Sequence, residues 1–344
     1  MLKKPKMLQP GDKVATVSLS WGGAGEPSIR WRYDLGVKRL QEVFGLEVVP
    51  MPNSLMGSDF VYENPEARAE DLMEAFRDPS IKAIISNIGG SESIRLLPYI
   101  DFDVIRENPK IFMGYSDATI SHLFCLKAGL SSFYGPAIIT EFAENGEMHG
   151  YTVGSIKRTL MSSELIGEIQ PSPEWTSEMV PWENGYTEEK RKMHPDRGFE
   201  LLAGSGKVQG HLMGGCIEVL EFAKGTEIWP KQELWDGAIL FFETSEDQPH
   251  PDLIVYWLRN YAAQGILQKA AGMILAKPKD EKYYEEYKDS ILTVLKEYKL
   301  ESLPVLYNLG FGHTDPKFIV PYGALAEIDC ERKAFSIIDN GVEA

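Results

Sequence analysis

Lys110-Ile111-Phe112-Met113-Gly114-Tyr115-Ser116-Asp117-Ala118-Thr119 is the stretch on which the reading of this chain turns. Lys110 to Met113 is a short apolar run of the kind that fills a buried strand, and Ala118 to Lys127 reads as a helix that stops at Gly129. Between them lies a small-x-Ser-x-small turn. Such a turn projects a hydroxyl from a strained bend and sets the next backbone N–H and a helix N-terminus beside it. An acyl-transfer nucleophile needs that arrangement, with Ser116 as the nucleophile and Ala118 in place of the second glycine of the usual elbow. The same residues would also serve if Ser116 or Asp117 simply caps a helix.

Outward from this turn the first half alternates strand and helix. Val14 to Ser18, Leu46 to Pro50 and Lys82 to Ile88 read as strands. Tyr33, Val37, Leu40 and Phe44 recur at helical spacing, and Ala67 to Phe76 gives a second helix. Alternation of this kind predicts a mostly parallel sheet with helices on both faces. From Pro171 to Phe199 the pattern breaks into a long connection with four prolines, Trp175, Trp182, Tyr186 and the mixed-charge run Glu188 to Lys192. Beyond it, Lys207 to Met213, Ala238 to Phe242, Met273 to Ala276, Val305 to Asn308, Ala324 to Ile328 and Ala334 to Ile338 look like strands. We therefore expect an α/β protein of two domains: a mostly parallel-sheet domain over residues 1–170, and a second, strand-richer α/β domain over residues 171–344.

The 344 residues, 43% apolar and 25% charged, suffice for a real core and exclude disorder. Thirty-five Lys and Arg against fifty-one Asp and Glu leave a net charge of −16, which repels phosphate backbones and acidic membrane surfaces. Nucleic acid and membrane are not expected partners. The N-terminus has no apolar stretch behind Lys3, Lys4 and Lys6, and nowhere do about eighteen apolar residues follow one another. Cys125, Cys216 and Cys330 are odd in number and far apart, which suits free thiols in the cytoplasm.

A serine hydroxyl needs a base. Among six histidines, His313 stands out in Leu309-Gly310-Phe311-Gly312-His313, directly after a strand, where two glycines allow close backbone approach. Glu243 ends the strand Ala238 to Phe242 and would orient the imidazole, with Glu246 and Asp247 as rivals; the order Ser, acid, His is that of the α/β-hydrolase triad. Gly89-Gly90 closes the third strand and offers backbone N–H groups, one of which would complement that of Asp117 in an oxyanion site. The alternative is a plain tight turn before a Ser91 to Leu97 helix. Gly22-Gly23-Ala24-Gly25 and Gly204-Ser205-Gly206-Lys207 lack the spacing of nucleotide-binding loops, and no metal-ligand spacing occurs, so neither cofactor nor metal is expected. A neutral imidazole as base would make the rate rise through an apparent pKa around 6 to 7.

Gly89-Gly90 with Ser93 and Arg95-Leu96-Leu97-Pro98-Tyr99, Gly114 to Thr119, Gly214-Gly215, Glu243 and Gly312-His313, in this order, resemble the LD-carboxypeptidase family of serine peptidases, and in particular its microcin C immunity branch. The resemblance implies an N-terminal Rossmann-like parallel-sheet domain and a C-terminal α/β domain with a β-rich core, a triad of Ser116, His313 and Glu243, oxyanion donors at the backbone of Gly90 and Asp117, and a homodimer. It also implies substrate contacts at Gly89, Ser93 and Trp182, the last by stacking on a nucleobase, although packing of the loop onto the body would also account for Trp182. Many relatives continue the glycine pair with Asn-Leu where this chain has Cys216-Ile217, which removes an expected amide contact. The expected activity is hydrolysis of an amide of a peptidyl- or aminoacyl-nucleotide. The alternatives are a murein tetrapeptide LD-carboxypeptidase and a catalytically silent peptide-binding protein.

Overall fold

The structure, a computed structural model, describes residues 2–344 and has two large sheets flanked by helices, with a small two-stranded sheet besides. The first has the order Val320–Pro321, Phe133–Tyr134, Ile111–Gly114, Ile81–Ser86, Lys13–Val17, Glu47–Pro50, all parallel except the Val320–Pro321 edge. Its central strands are apolar on both faces, as a parallel sheet covered on both sides requires. The second sheet has the order Gly167–Ile169, Ala334–Ile337, Leu325–Asp329, Lys207–Cys216, Ile239–Glu243, Gly272–Ala276, Val305–Leu309, Glu200–Ala203. Its four strands from Lys207–Cys216 to Val305–Leu309 are parallel, and its outer strands pair antiparallel. Each sheet thus takes one edge strand from the other half of the chain. Among the described residues no helix is long and apolar enough to cross a membrane.

The helix Ala118–Ala128 holds the halves together. Every residue in it except Lys127 is buried, so it is buried all round instead of on one face. Leu123, Phe124 and Leu126 share one core with Met213, Ile217 and Leu220 of the second sheet and its first helix. Close approach is possible because the facing strand carries Gly214-Gly215. A Cβ on Gly215 would lie 2.6 Å from the Thr119 side chain, and one on Gly214 would lie 1.7 Å from the Phe241 carbonyl oxygen. The Thr119 hydroxyl links the elbow to this strand, accepting the Cys216 N–H at 3.1 Å and donating to the Ser116 carbonyl at 2.7 Å.

One local reading changes. Ser91 to Leu97 is not an α-helix; the chain makes a 3-10 helix over Ser93–Tyr99, interrupted by Pro98, without a side-chain cap from either serine. The connection from Pro171 to Phe199 is irregular apart from Glu174–Trp175 paired with His194–Pro195 and a single 3-10 turn at Trp182–Asn184. It is pinned to the second half by reciprocal backbone hydrogen bonds between Thr176 and Asp315, at 2.7 and 2.8 Å.

Because no neighbour of Gly214 can yield without moving the Phe241 backbone, Gly214→Ala should cost on the order of 3 kcal/mol of stability in urea unfolding. A loss under about 1 kcal/mol would show that the strand spacing is more forgiving than this packing implies.

Candidate active site

Ser116 sits at the junction of the strand Ile111–Gly114 and the helix Ala118–Ala128 with φ +61°, a left-handed backbone that a non-glycine residue adopts at a cost of about 1 to 2 kcal/mol. The bend is as tight as the sequence suggests: a Cβ on Gly114 would lie 2.9 Å from the Cβ atoms of both Ala118 and Ser86. Gly89 packs against the serine itself, since a Cβ there would stand 2.9 Å from Ser116 Cβ and 3.1 Å from its Oγ. Among the described residues, neither the Gly90 N–H nor the Asp117 N–H has a hydrogen-bond acceptor, so both donors are unpaired. The buried Asp117 carboxylate accepts the Ser93 N–H at 2.8 Å and so ties the Gly89-Gly90 loop to the elbow.

Glu243 ends the strand Ile239–Glu243, and its side chain is wholly buried. One carboxylate oxygen lies 2.7 Å from His313 Nδ1. The other accepts the hydroxyl of Tyr134, which in turn accepts the backbone N–H of Ser116 at 2.9 Å. A buried chain of hydrogen bonds therefore runs from the nucleophile's own backbone through Tyr134 and Glu243 to the imidazole. Gly312 leaves room for it, because a Cβ there would fall 2.6 Å from Glu243 Oε2. The edge of the His313 ring packs on Tyr115, with ring centroids 5.1 Å apart.

The second nitrogen of His313 behaves unexpectedly. Nε2 faces Glu246 Oε2 at 2.9 Å, and among the described residues the Ser116 hydroxyl has no hydrogen-bond partner. Burial alone would lower the imidazole pKa, but Glu243 and Glu246 together outweigh it and hold the ring up to about 10. The contact with His313 in turn pulls the Glu246 carboxyl down to about 2. The expectation of a base titrating around 6 to 7 ignored the second carboxylate. Glu243 and Glu246 are thus not rivals for one place; they occupy opposite nitrogens of the same ring. His122, one turn into the elbow helix, is fully buried, bonds Ser132 and the Gly114 carbonyl, and is pushed by burial down to about 3, so it is a neutral structural residue.

Ser116 and His313 open onto a cavity of about 580 Å³ that Gly89, Gly90, Tyr115 and Trp182 also line. Trp182 is half-buried, stacked on Trp21 at 6.5 Å with a 20° interplanar angle, and lies 4.6 Å from the Arg32 guanidinium. Ser93 does not reach the cavity. It is 1% exposed beneath the site, where its N–H serves Asp117, and this corrects the expectation that it contacts substrate. Cys216 is likewise buried away from the cavity, with its thiol on Glu218. The basic residues of the long connection are largely spent on partners: Lys190 on Glu147, Arg197 on Glu281, and the buried Arg191 on Glu144 and Asp315. Lys317 at the cavity wall pairs with Glu141 at 2.6 Å and lies over the Tyr115 ring at 3.7 Å. Tyr134 was missed in the sequence because its strand is only two residues long; its register opposite Gly114 places it beside the elbow.

Comparison with known proteins places the chain in a family. The family model for the LD-carboxypeptidase N-terminal domain matches residues 14–135, and that for the LD-carboxypeptidase C-terminal domain matches residues 209–328. The microcin C7 self-immunity protein MccF of Escherichia coli is 31% identical over 315 residues, 90% of this chain and 88% of its own. A solved structure of MccF in complex with aspartyl sulfamoyl adenosine aligns with a TM-score of 0.85 at 27% identity, covering 99% of this chain and 100% of that one. A probable murein peptide carboxypeptidase of Bacillus subtilis is 29% identical over 98% of this chain and 95% of its own. The crystal structure of an MccF-like protein from Streptococcus pneumoniae in complex with AMP aligns with a TM-score of 0.88 at 34% identity, over 95% of this chain and 98% of that one. With both domains matched in order on either side of the long connection, the chain belongs to the LD-carboxypeptidase family of serine peptidases.

Proposed function

We propose that this protein hydrolyses the amide-type bond of an aminoacyl- or peptidyl-nucleotide through an acyl-enzyme, using Ser116, His313 and Glu243 as a triad. The observation that carries the reading is the convergence of a strained serine, the Gly89-Gly90 turn and a carboxylate-held imidazole on one cavity that Trp182, stacked on Trp21, also lines. Ser116 Oγ attacks the acyl carbon as its proton passes to His313 Nε2. The N–H groups of Gly90 and Asp117 receive the developing oxyanion, an interaction in which each donor is worth about 3 kcal/mol of barrier. Glu243 stabilises the imidazolium, which then protonates the leaving nitrogen, and water repeats the sequence to release the acid. A cavity of about 580 Å³ suits a nucleotide-sized leaving group. The same is true of Trp182, on which a purine can stack. The MccF complex with aspartyl sulfamoyl adenosine and the MccF-like complex with AMP favour this substrate class over a murein peptide. Three buried, unpaired cysteines suit action in the cytoplasm, and a homodimer is the assembly expected of the family.

Hydrolysis of aspartyl sulfamoyl adenosine, followed by release of sulfamoyl adenosine, tests the mechanism. Ser116→Ala and His313→Ala should each lower kcat on the order of 10³-fold or more, the double variant scarcely further, and Glu243→Gln less than either. Near wild-type turnover by Ser116→Ala would exclude this mechanism.

Trp182→Ala separates the two substrate classes. Stacking worth roughly 1 to 3 kcal/mol per base predicts a loss of about 5- to 150-fold in kcat/KM on the adenylate and almost none on a murein tetrapeptide, whose D-alanine leaving group has no ring. Equal losses on both would mean that the contacts of Trp182 with Trp21 and Arg32 only hold the loop closed, which favours the carboxypeptidase.

A further inference from the structure

The segment Gly22-Gly23-Ala24-Gly25 is no phosphate loop, yet its glycines have a use: they seat the tryptophan that precedes them. A Cβ on Gly23 would fall 2.6 Å from the Trp21 ring, and one on Gly22 would fall 2.3 Å from the Gly57 carbonyl oxygen, so neither position admits a side chain. The Trp21 N–H donates to the Gly89 carbonyl at 3.2 Å, and a Cβ on Gly90 would lie 3.3 Å from Trp21 Cβ. Trp21 is therefore fastened to the same turn that borders Ser116. Tryptophan is on average highly buried, but this one is 38% exposed and lines the catalytic cavity.

Trp182 lines that cavity from a different part of the chain and has its own anchors. The Trp31 indole N–H donates to the Trp182 carbonyl at 2.8 Å, and the Arg32 guanidinium lies 4.6 Å from the Trp182 ring. Among the aromatic pairs of the described residues, Trp21 and Trp182 are both the most nearly parallel, at 20°, and the most widely spaced, at 6.5 Å between centroids. The stack is open. Successive bases lie about 3.4 Å apart, so two near-parallel faces at almost twice that separation have room for one flat ring between them.

We propose that Trp21 and Trp182 are the two walls of a slot for the base of the leaving group, which makes Trp21 a specificity-determining residue for purines. The inference rests on the nucleotide reading above. An indole is a fused pair of rings, and a purine, also fused, covers more of each wall than a single-ring pyrimidine does. The preference follows from overlap and requires no hydrogen bond to the edge of the base. Because Trp21 is fastened to Gly89 and packs beside Gly90, one turn positions both the base and the backbone next to Ser116.

Binding of AMP and of UMP to the intact protein, measured by calorimetry, tests the slot. Wild type should hold AMP at least about 10-fold more tightly than UMP. Trp21→Ala and Trp21→Leu should each weaken AMP by about 5- to 150-fold and bring the two nucleotides to within about 3-fold of each other. Trp21→Phe keeps a flat face and should stay within about 5-fold of wild type on AMP. The leucine variant separates stacking from packing, since it keeps apolar bulk without a ring. Wild-type affinity for AMP in Trp21→Leu would overturn the assignment of Trp21. So would an AMP affinity that Trp182→Ala lowers and Trp21→Ala does not, a result that leaves the nucleotide reading standing. A wild type that binds neither nucleotide would overturn that reading, and the slot with it.

Discussion

The buried carboxylate of Glu243 is the constraint on which the rest of the site depends. It ends a strand of the second sheet, yet one oxygen is committed to Tyr134 on the first sheet and the other to His313 in the loop after Val305–Leu309. A carboxylate fully removed from water costs several kcal/mol unless its oxygens are satisfied, and here two donors from distant parts of the chain satisfy them. The relation between the halves is therefore set by chemistry as well as by apolar packing. Displacing the second sheet would strand the charge, orphan the Tyr134 hydroxyl and let go of the Ser116 N–H together. The glycines at 89, 214 and 312 serve this geometry, each removing a side chain that would hold two of these elements apart.

The long connection bears on the same site from the other side. Its basic residues do not form the positive surface that their sequence suggests, because Arg191 is drawn into the protein between Glu144 and Asp315, where burial opposes its charge but the two acids hold its pKa up. That buried pairing, with the Thr176 to Asp315 backbone bonds, anchors the segment carrying Trp182 over the cavity. Glu243 and Glu246 meet the two ring nitrogens of His313.

Much of this was legible in the residues. The parallel sheet follows from strand and helix periods, and Ser116, His313 and Glu243 from a strand-helix bend, a glycine-flanked loop and a strand end. These are signals confined to a few neighbouring positions. Tyr134 and Glu246 were harder because their importance lies in long-range register: a two-residue strand opposite Gly114, and a turn that folds back onto a histidine distant in sequence. Ser93 misled for another reason. Its contact with substrate came only from the family resemblance, whereas the chain after the glycine pair tightens into a 3-10 helix that buries it with its N–H on Asp117.

The most direct test of this account is the titration of the His313 imidazole itself, observed by NMR in the intact protein and in Glu243→Gln. Held by two carboxylates, the ring should remain protonated well above pH 6.5, the ordinary value, toward about 10, and its pKa should fall when the buried carboxylate is made neutral. A His313 that titrates near 6.5 in the wild type, and does so unchanged in Glu243→Gln, would contradict the claim that Glu243 charges and holds the ring.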